Sequence, residues 1–238
     1  MRVVTALRTR SRTAAAAAYA SSRRPGRHTP WRHAPYCVVD LELSGLDPRV
    51  DEIISFGAVP IDGGLAGAGR CLYGLARPTR PLREASIVIH GIRTIDLEQA
   101  PPLDEAIAPL LEAMAGRVLV AHAAAVERSF LKAALRRQGA RLREPILDTD
   151  TLGRLLMAQR GESPPGFLPL GDLARLLRLP QHRPHHALSD ALTTAQAFLG
   201  IVSHLEQLGA ETVGSLARAD ARLESARQFP TRPSRQPD

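Results

Sequence analysis

Asp40 and Glu42 stand two residues apart in the stretch "YCVVDLEL" that begins at Tyr36. Alternate residues of a strand share one face, so the two carboxylates should sit side by side. Cys37, Val38 and Val39 lead into the pair as strand formers, and Ser44-Gly45 breaks the chain just beyond it. Two like charges at the end of an otherwise apolar strand are costly unless a proton or a cation lies between them. Two further acids occupy places that the local pattern does not need. In "LVAHAAAVERSFLKAAL", from Leu119, an apolar strand runs to His122, and Glu127 follows at the start of a helix, beside the apolar face of Val126, Phe130, Leu131 and Ala134. Taken alone, Glu127 is an ordinary acid near a helix N-terminus, where the macrodipole favours it. In "PHHALSDALTTAQAFL", from Pro184, Asp190 lies on an apolar stripe with Ala191, Thr194, Ala195 and Phe198, shortly after His185 and His186. Ends of apolar elements can converge on one edge of an α/β sheet. Four carboxylates meeting there call for hard divalent cations with oxygen ligands. Two such ions can clamp the attacking and leaving oxygens of a phosphoryl transfer.

The elements that must position these residues begin as strands and end as helices. Segments 36–42, 52–61 and 69–76 read as three successive strands, the second and third joined by the turn "DGG" at 62–64, which suggests an antiparallel meander. Helical periodicity follows at 103–115, then a strand at 117–121, a helix at 124–138 and a strand at 145–148. Helices are expected near 150–158, 170–178, 187–207 and 211–226. The fold class expected is α/β, a mixed sheet of an antiparallel meander plus parallel strands with helices on both faces.

The net charge of +7 invites a nucleic-acid reading, but its location matters more than its sum. Residues 1–35 carry eight arginines and no acid, and 227–238 carry three arginines against Asp238. Between them lie 20 basic and 23 acidic residues, so the body is not a basic, DNA-coating surface. Residues 1–35 are read as a disordered basic tail outside the fold, with an organellar transit peptide and a secretory leader ending at "AYA" as competing readings. Residues 36–226 are read as one domain and 227–238 as a second disordered tail. Cys37 and Cys71 fall in apparent strands without framework spacing, which suggests reduced core thiols and a cytoplasmic setting. No apolar run approaches the length of a membrane span.

Three segments carry a resemblance. "VVDLELSGLDPRVDEIISFGAV", "AHAAAVERSFL" and "HHALSDA" look like the three exonuclease motifs of the DEDD superfamily in its histidine-containing branch, which includes polymerase III epsilon subunits, ribonuclease T and oligoribonuclease. The likeness covers about 36–205, with supporting matches at "ASIVIHGI" and "ILDTDTL". It implies a ribonuclease H-like fold and 3′–5′ hydrolysis of single-stranded DNA or RNA with two divalent cations, Mg²⁺ or Mn²⁺. It further implies that Asp40, Glu42, Glu127 and Asp190 are metal ligands, that His185 is the general base, and that Leu43, Ser44 and His90 contact substrate. His122 is expected to be structural. Single-stranded 3′ ends are the implied partner, and a DNA polymerase subunit is a second.

The second motif departs from the family pattern. Relatives carry Asn-Ala-x-Phe-Asp where this chain has Ala123, Ala124, Ala125, Val126 and Glu127. Glu keeps the charge and the oxygens but adds a methylene, and site geometry matters at about the 0.5 Å level. The alternative is therefore a catalytically weakened module that keeps the fold to bind nucleic acid or a polymerase.

Overall fold

The structure, a computed structural model, describes residues 13–180 and 182–228. Its centre is a mixed sheet in which β1 (Tyr36–Leu43) lies between β2 (Ile53–Asp62) and β5 (Val118–Ala121). The β1–β2 pair is antiparallel, while β1–β5 and β5–β6 (Ile146–Asp148) are parallel. The expected turn after β2 forms at Gly63 and Gly64, both at positive φ, as a tight hairpin requires. The third strand is divided, however, into a two-residue β3 (Leu65–Ala66) and β4 (Leu72–Leu75), which pair with different stretches of β2. A 3-10 turn over Ala68–Arg70 stands where continuous strand was expected, and it leaves Cys71 just outside β4. Both cysteines are free, Cys37 in the core and Cys71 half-buried.

Strand alternation sorts the core into two layers. Cys37, Val39, Leu41 and Leu43 pack on one face against α1 (Ala14–Ser21), α4 (Ala108–Met114) and α5 (Ala125–Arg137). Tyr36 and Val38 pack on the other against α6 (Thr149–Gln159), α8 (Ala187–Glu206) and α9 (Val213–Gln228). Asp40 and Glu42 continue the Tyr36–Val38 row and so belong to the α8 face. Between β4 and α4 lie α2 (Glu84–His90) and α3 (Leu103–Ala106), and α7 (Leu170–Leu176) precedes α8. One helix was expected over 103–115, but α3 and α4 are separate, with Pro109 at the start of α4. Proline lacks an N–H and crowds the carbonyl four residues earlier, so it begins a helix better than it continues one.

The N-terminal expectation needs correction. Residues 14–35, assigned from composition to a disordered tail, are part of the fold. The alanine run has the highest helix propensity of any residue type, and Thr13 caps it by accepting from the Ala16 N–H at 3.2 Å. Ala15, Ala16 and Tyr19 are buried, as is Trp31. Arg143 donates to the carbonyls of Ala20 and Ser22, and the Trp31 N–H donates to Glu211 at 3.0 Å. An all-alanine face has no amphipathic periodicity, so the pattern that marks other helices is missing here. The expected tail at 1–12 lies outside the described residues, as do 229–238, while α9 runs two residues past the expected boundary at 226. Among the described residues no helix is long and apolar enough to cross a membrane.

Candidate active site

Three strands and two helix starts build the site. Asp40 of β1 is in register with Gly57 of β2, and Gly57 with Tyr73 of β4. A side chain at Gly57 could not be accommodated, because a Cβ there would lie 2.3 Å from the Ala187 carbonyl oxygen. The missing side chain lets the first turn of α8 press onto the sheet beside Asp40. His186 caps that turn, its Nδ1 accepting from the Ser189 N–H at 3.4 Å, and its ring stacks on Tyr73 with centroids 4.7 Å apart. The His185 N–H donates to Asp190 Oδ2 at 2.8 Å.

The result is a cluster in which carboxylate oxygens of Asp40, Glu42 and Asp190 all lie within 4.8 Å of one another. Glu127 approaches from the opposite layer, at the first turn of α5. It is buried, and its Oε2 has no hydrogen-bond partner among the described residues. It lies outside the tight trio, yet its charge acts on Asp40 and is acted on by Glu42. Burial raises all four acids. Asp40 stands well above the usual carboxylate range, through burial first and then the charges of Glu127, Asp190 and Glu42. Glu42 is pushed up to about 7 by burial and Asp190, and Glu127 to about 8 by burial, with Asp148 and Glu42 adding to it. Asp190 is also raised by burial, against the lowering effect of the His185 N–H and the nearby histidines. A buried set of oxygen donors that resist ionisation together is the donor set that hard divalent cations satisfy.

His185 is exposed at the rim, with φ +55°, whereas the neighbouring His186 ring is engaged by its cap and stack. On the other side of Glu42, Leu43, Ser44 and His90 line a largely apolar cavity of about 290 Å³ together with Ile89 and Val126. His90 accepts the Ile92 N–H through Nδ1, and its buried Nε2 has no partner among the described residues. His122 lies away from this group. It is bonded to Thr149 Oγ1 at 3.0 Å, and burial pushes its pKa down to about 4.

Asp148, Gly57 and Tyr73 support the site without having been singled out from the sequence. Asp148 caps α6 and also accepts from the N–H groups of Ala123 and Ala124, at 3.0 and 3.2 Å, fixing the start of α5. Its position at a strand end before a helix was a legible capping signal. Nothing in the local pattern marks Gly57 or Tyr73, whose roles arise from cross-strand register.

The comparisons with known proteins agree with this geometry. Residues 37–198 match the family model for the ribonuclease T type, described as exonuclease. The chain is 33% identical over 192 residues to a DNA polymerase III subunit epsilon-like protein of Rhodobacter capsulatus, covering 79% of this chain and 26% of that protein. It is also 33% identical over 181 residues to the PolC-type DNA polymerase III of Thermotoga petrophila, covering 75% of this chain and 13% of that protein. The chain thus spans about an eighth to a quarter of the length of these relatives. Among solved structures, exonuclease X in complex with 5′ overhanging duplex DNA superposes with a TM-score of 0.59 at 22% identity, over 78% of this chain and 99% of that one. The family match over most of the chain, on an architecture shared with solved exonucleases, establishes that this chain belongs to the ribonuclease T exonuclease family.

Proposed function

We propose that the protein is a metal-dependent 3′–5′ exonuclease that removes nucleotides from single-stranded DNA ends. The observation that carries this reading is the carboxylate trio within 4.8 Å, with the exposed His185 bonded to Asp190 through its backbone N–H just before α8. Asp40, Glu42 and Asp190 would hold two divalent cations, Mg²⁺ or Mn²⁺, with Glu127 as a further ligand. Such ions, when bound, supply positive charge to the scissile phosphate and acidity to the attacking water. His185 accepts the proton of that water, and its place at the solvent-exposed rim lets it pass the proton on. Leu43, Ser44 and His90 receive the terminal nucleoside, whose apolar base and polar sugar suit a cavity of this composition.

The names of the relatives favour DNA over RNA and suggest association with a replicative polymerase. A weakened, binding-only role is the second reading, favoured by Glu127 and the alanines before it in the second motif. Incubation of a 5′-labelled single strand with Mg²⁺, with Mn²⁺ and with chelator separates the two. A descending ladder that chelator abolishes, and that Asp190→Asn loses, is the expected result. Scattered internal cuts would contradict 3′–5′ polarity. No cleavage of DNA or RNA with either ion would favour the binding module.

A further inference from the structure

The cavity at His90 does not end at the site. Ser44 and Arg83, two of its lining residues, also line a small pocket of about 50 Å³. That pocket shares Val50, Asp51, Glu52 and Arg80 with a larger cleft of about 500 Å³. The cleft lies between the segment 48–53 and α5 and is also lined by Arg49, Arg136 and Arg137. Two acids in its wall are already engaged. Asp51 accepts the Asp47 N–H at 2.9 Å and pairs with Arg83 at 3.2 Å, and Glu52 accepts from the N–H and Oγ1 of Thr79 at 2.7 and 3.0 Å. Arg80 and Arg136 are exposed and have no carboxylate partner among the described residues. Arg49 and Arg137 pair with Asp47 and Asp104 at the surface, where such pairs are weak and exchangeable. The cleft therefore offers guanidinium groups, the side chains best suited to phosphate oxygens, beside the terminal cavity, to which the small pocket links it through shared wall residues.

We propose that this cleft, through Arg80 and Arg136, binds the sugar–phosphate backbone of the nucleic-acid strand whose 3′ end occupies the cavity at His90. The proposal rests on the nuclease reading for the polarity of the strand, and it adds a backbone site distinct from the carboxylate cluster. It also accounts for how a chain whose central region is net acidic can hold a polyanion. The positive charge is placed locally rather than spread over the surface.

The test is equilibrium binding, followed by fluorescence anisotropy in chelator so that nothing is hydrolysed, of a labelled 12-nucleotide single strand and a labelled dinucleotide. The double variant Arg80→Ala/Arg136→Ala should lose tenfold or more in affinity for the 12-mer and less than twofold for the dinucleotide. The slope of log affinity against log salt should become shallower by about 1.4, the release expected for two phosphate contacts on a single strand. Arg80→Lys/Arg136→Lys, which keeps both charges, should restore most of the slope. Unchanged 12-mer affinity and slope in the alanine variant would overturn the proposal. So would equal losses on both ligands, which would place the arginines at the terminal cavity. A lowered melting temperature with binding intact would mean that Arg136 serves only the C-terminus of α5, and would overturn it as well. Digestion by the unmutated protein combined with unaltered binding by the variant would sink the cleft and leave the nuclease reading standing. Binding that depends on the arginines, without digestion, would do the reverse.

Discussion

Two helix starts deliver carboxylates to the same edge of the sheet, and they are built in opposite ways. The start of α8 carries its own side-chain cap and is packed by two strands. His186 caps it, Tyr73 stacks on the cap, Gly57 admits the backbone, and the His185 N–H fixes Asp190. The start of α5 has no side-chain cap of its own. Ala123 sits at φ +56°, and the N–H groups of Ala123 and Ala124 are held from another element, by Asp148. Of the four residues before Glu127 at this second junction, Ala123 and Val126 depart from the motif that the sequence resembles, while Ala124 agrees with it. The α8 start thus combines its own side-chain cap with packing from two strands, whereas the α5 start is fixed through the carboxylate of Asp148.

The widest separation between the junctions should appear in rate. His185→Ala, at the α8 junction, should lower exonuclease turnover by about 10²–10⁴, the usual contribution of a positioned general base. At the α5 junction the effects should be smaller. Glu127→Gln keeps the size and removes the charge, and should lower the rate by about tenfold or more while raising the concentration of Mg²⁺ needed for half-maximal activity. Glu127→Asp should retain activity or improve it. Single-turnover digestion across a Mg²⁺ titration measures both. If Glu127→Gln matches the unmutated protein at every Mg²⁺ concentration, Glu127 is a buried acid with no part in the site.

The third expectation concerns stability in the absence of divalent cations. Glu127 is raised from 4.5 to about 8 and Glu42 from 4.5 to about 7 in the folded protein. Between the unfolded and folded values, the folded protein keeps protons that the unfolded chain has released. Stability is therefore present at the acidic end and is lost as pH rises through those folded values. His122 acts in the opposite sense and lower down. Its pKa falls from 6.5 to about 4 on folding, so it costs stability as pH drops through that window. Above pH 6.5 the acids alone should set the slope. In chelator the free energy of unfolding should fall from pH 6.5 to 8.5 by an amount on the order of a few kcal/mol, read as a drop in melting temperature. Saturating Mg²⁺ should flatten the fall, and Glu127→Gln should reduce it. A melting temperature that is level with pH in chelator would contradict the buried, mutually repelling cluster.

The α8 junction was the more legible of the two in the sequence. Asp40, Glu42, His185 and Asp190 declare themselves by type and short spacing, and the i, i+2 rule alone put the first two on one face. The mixed sheet and the antiparallel pairing of its first two strands followed from turn residues and apolar runs. What could not be read is what depends on packing between distant segments. The close approach at Gly57, the ring of Tyr73 under His186, and the reach of Asp148 to the α5 backbone are set by tertiary register. The alanine helix α1 was missed for a related reason. A run of identical small residues carries no face, and only the surface of α4 and the side chain of Arg143 give it one.

The smallest expected effect tests the junction at its most altered point. Ala123 adopts a left-handed backbone conformation, which costs an ordinary L-residue about 1–2 kcal/mol, and which Asn tolerates because its short polar side chain bonds locally. Ala123 is only half-buried, so a larger side chain has room at the surface. Ala123→Asn should therefore stabilise the protein by about 0.5–1 kcal/mol, a rise in melting temperature of about 1–4 °C for a chain of this size. Ala123→Gly removes the same strain but loosens the unfolded chain, so its gain should be smaller. Because Asp148 holds the Ala123 N–H in either case, the start of α5 should not move, and Mg²⁺ dependence should be unaltered. If Ala123→Asn lowers the melting temperature while Ala123→Gly raises it, the strain is real but the side chain does not fit. If neither variant is more stable than the unmutated protein, the backbone at 123 is not strained, and the contrast between the two helix starts narrows to the missing cap and the longer acid.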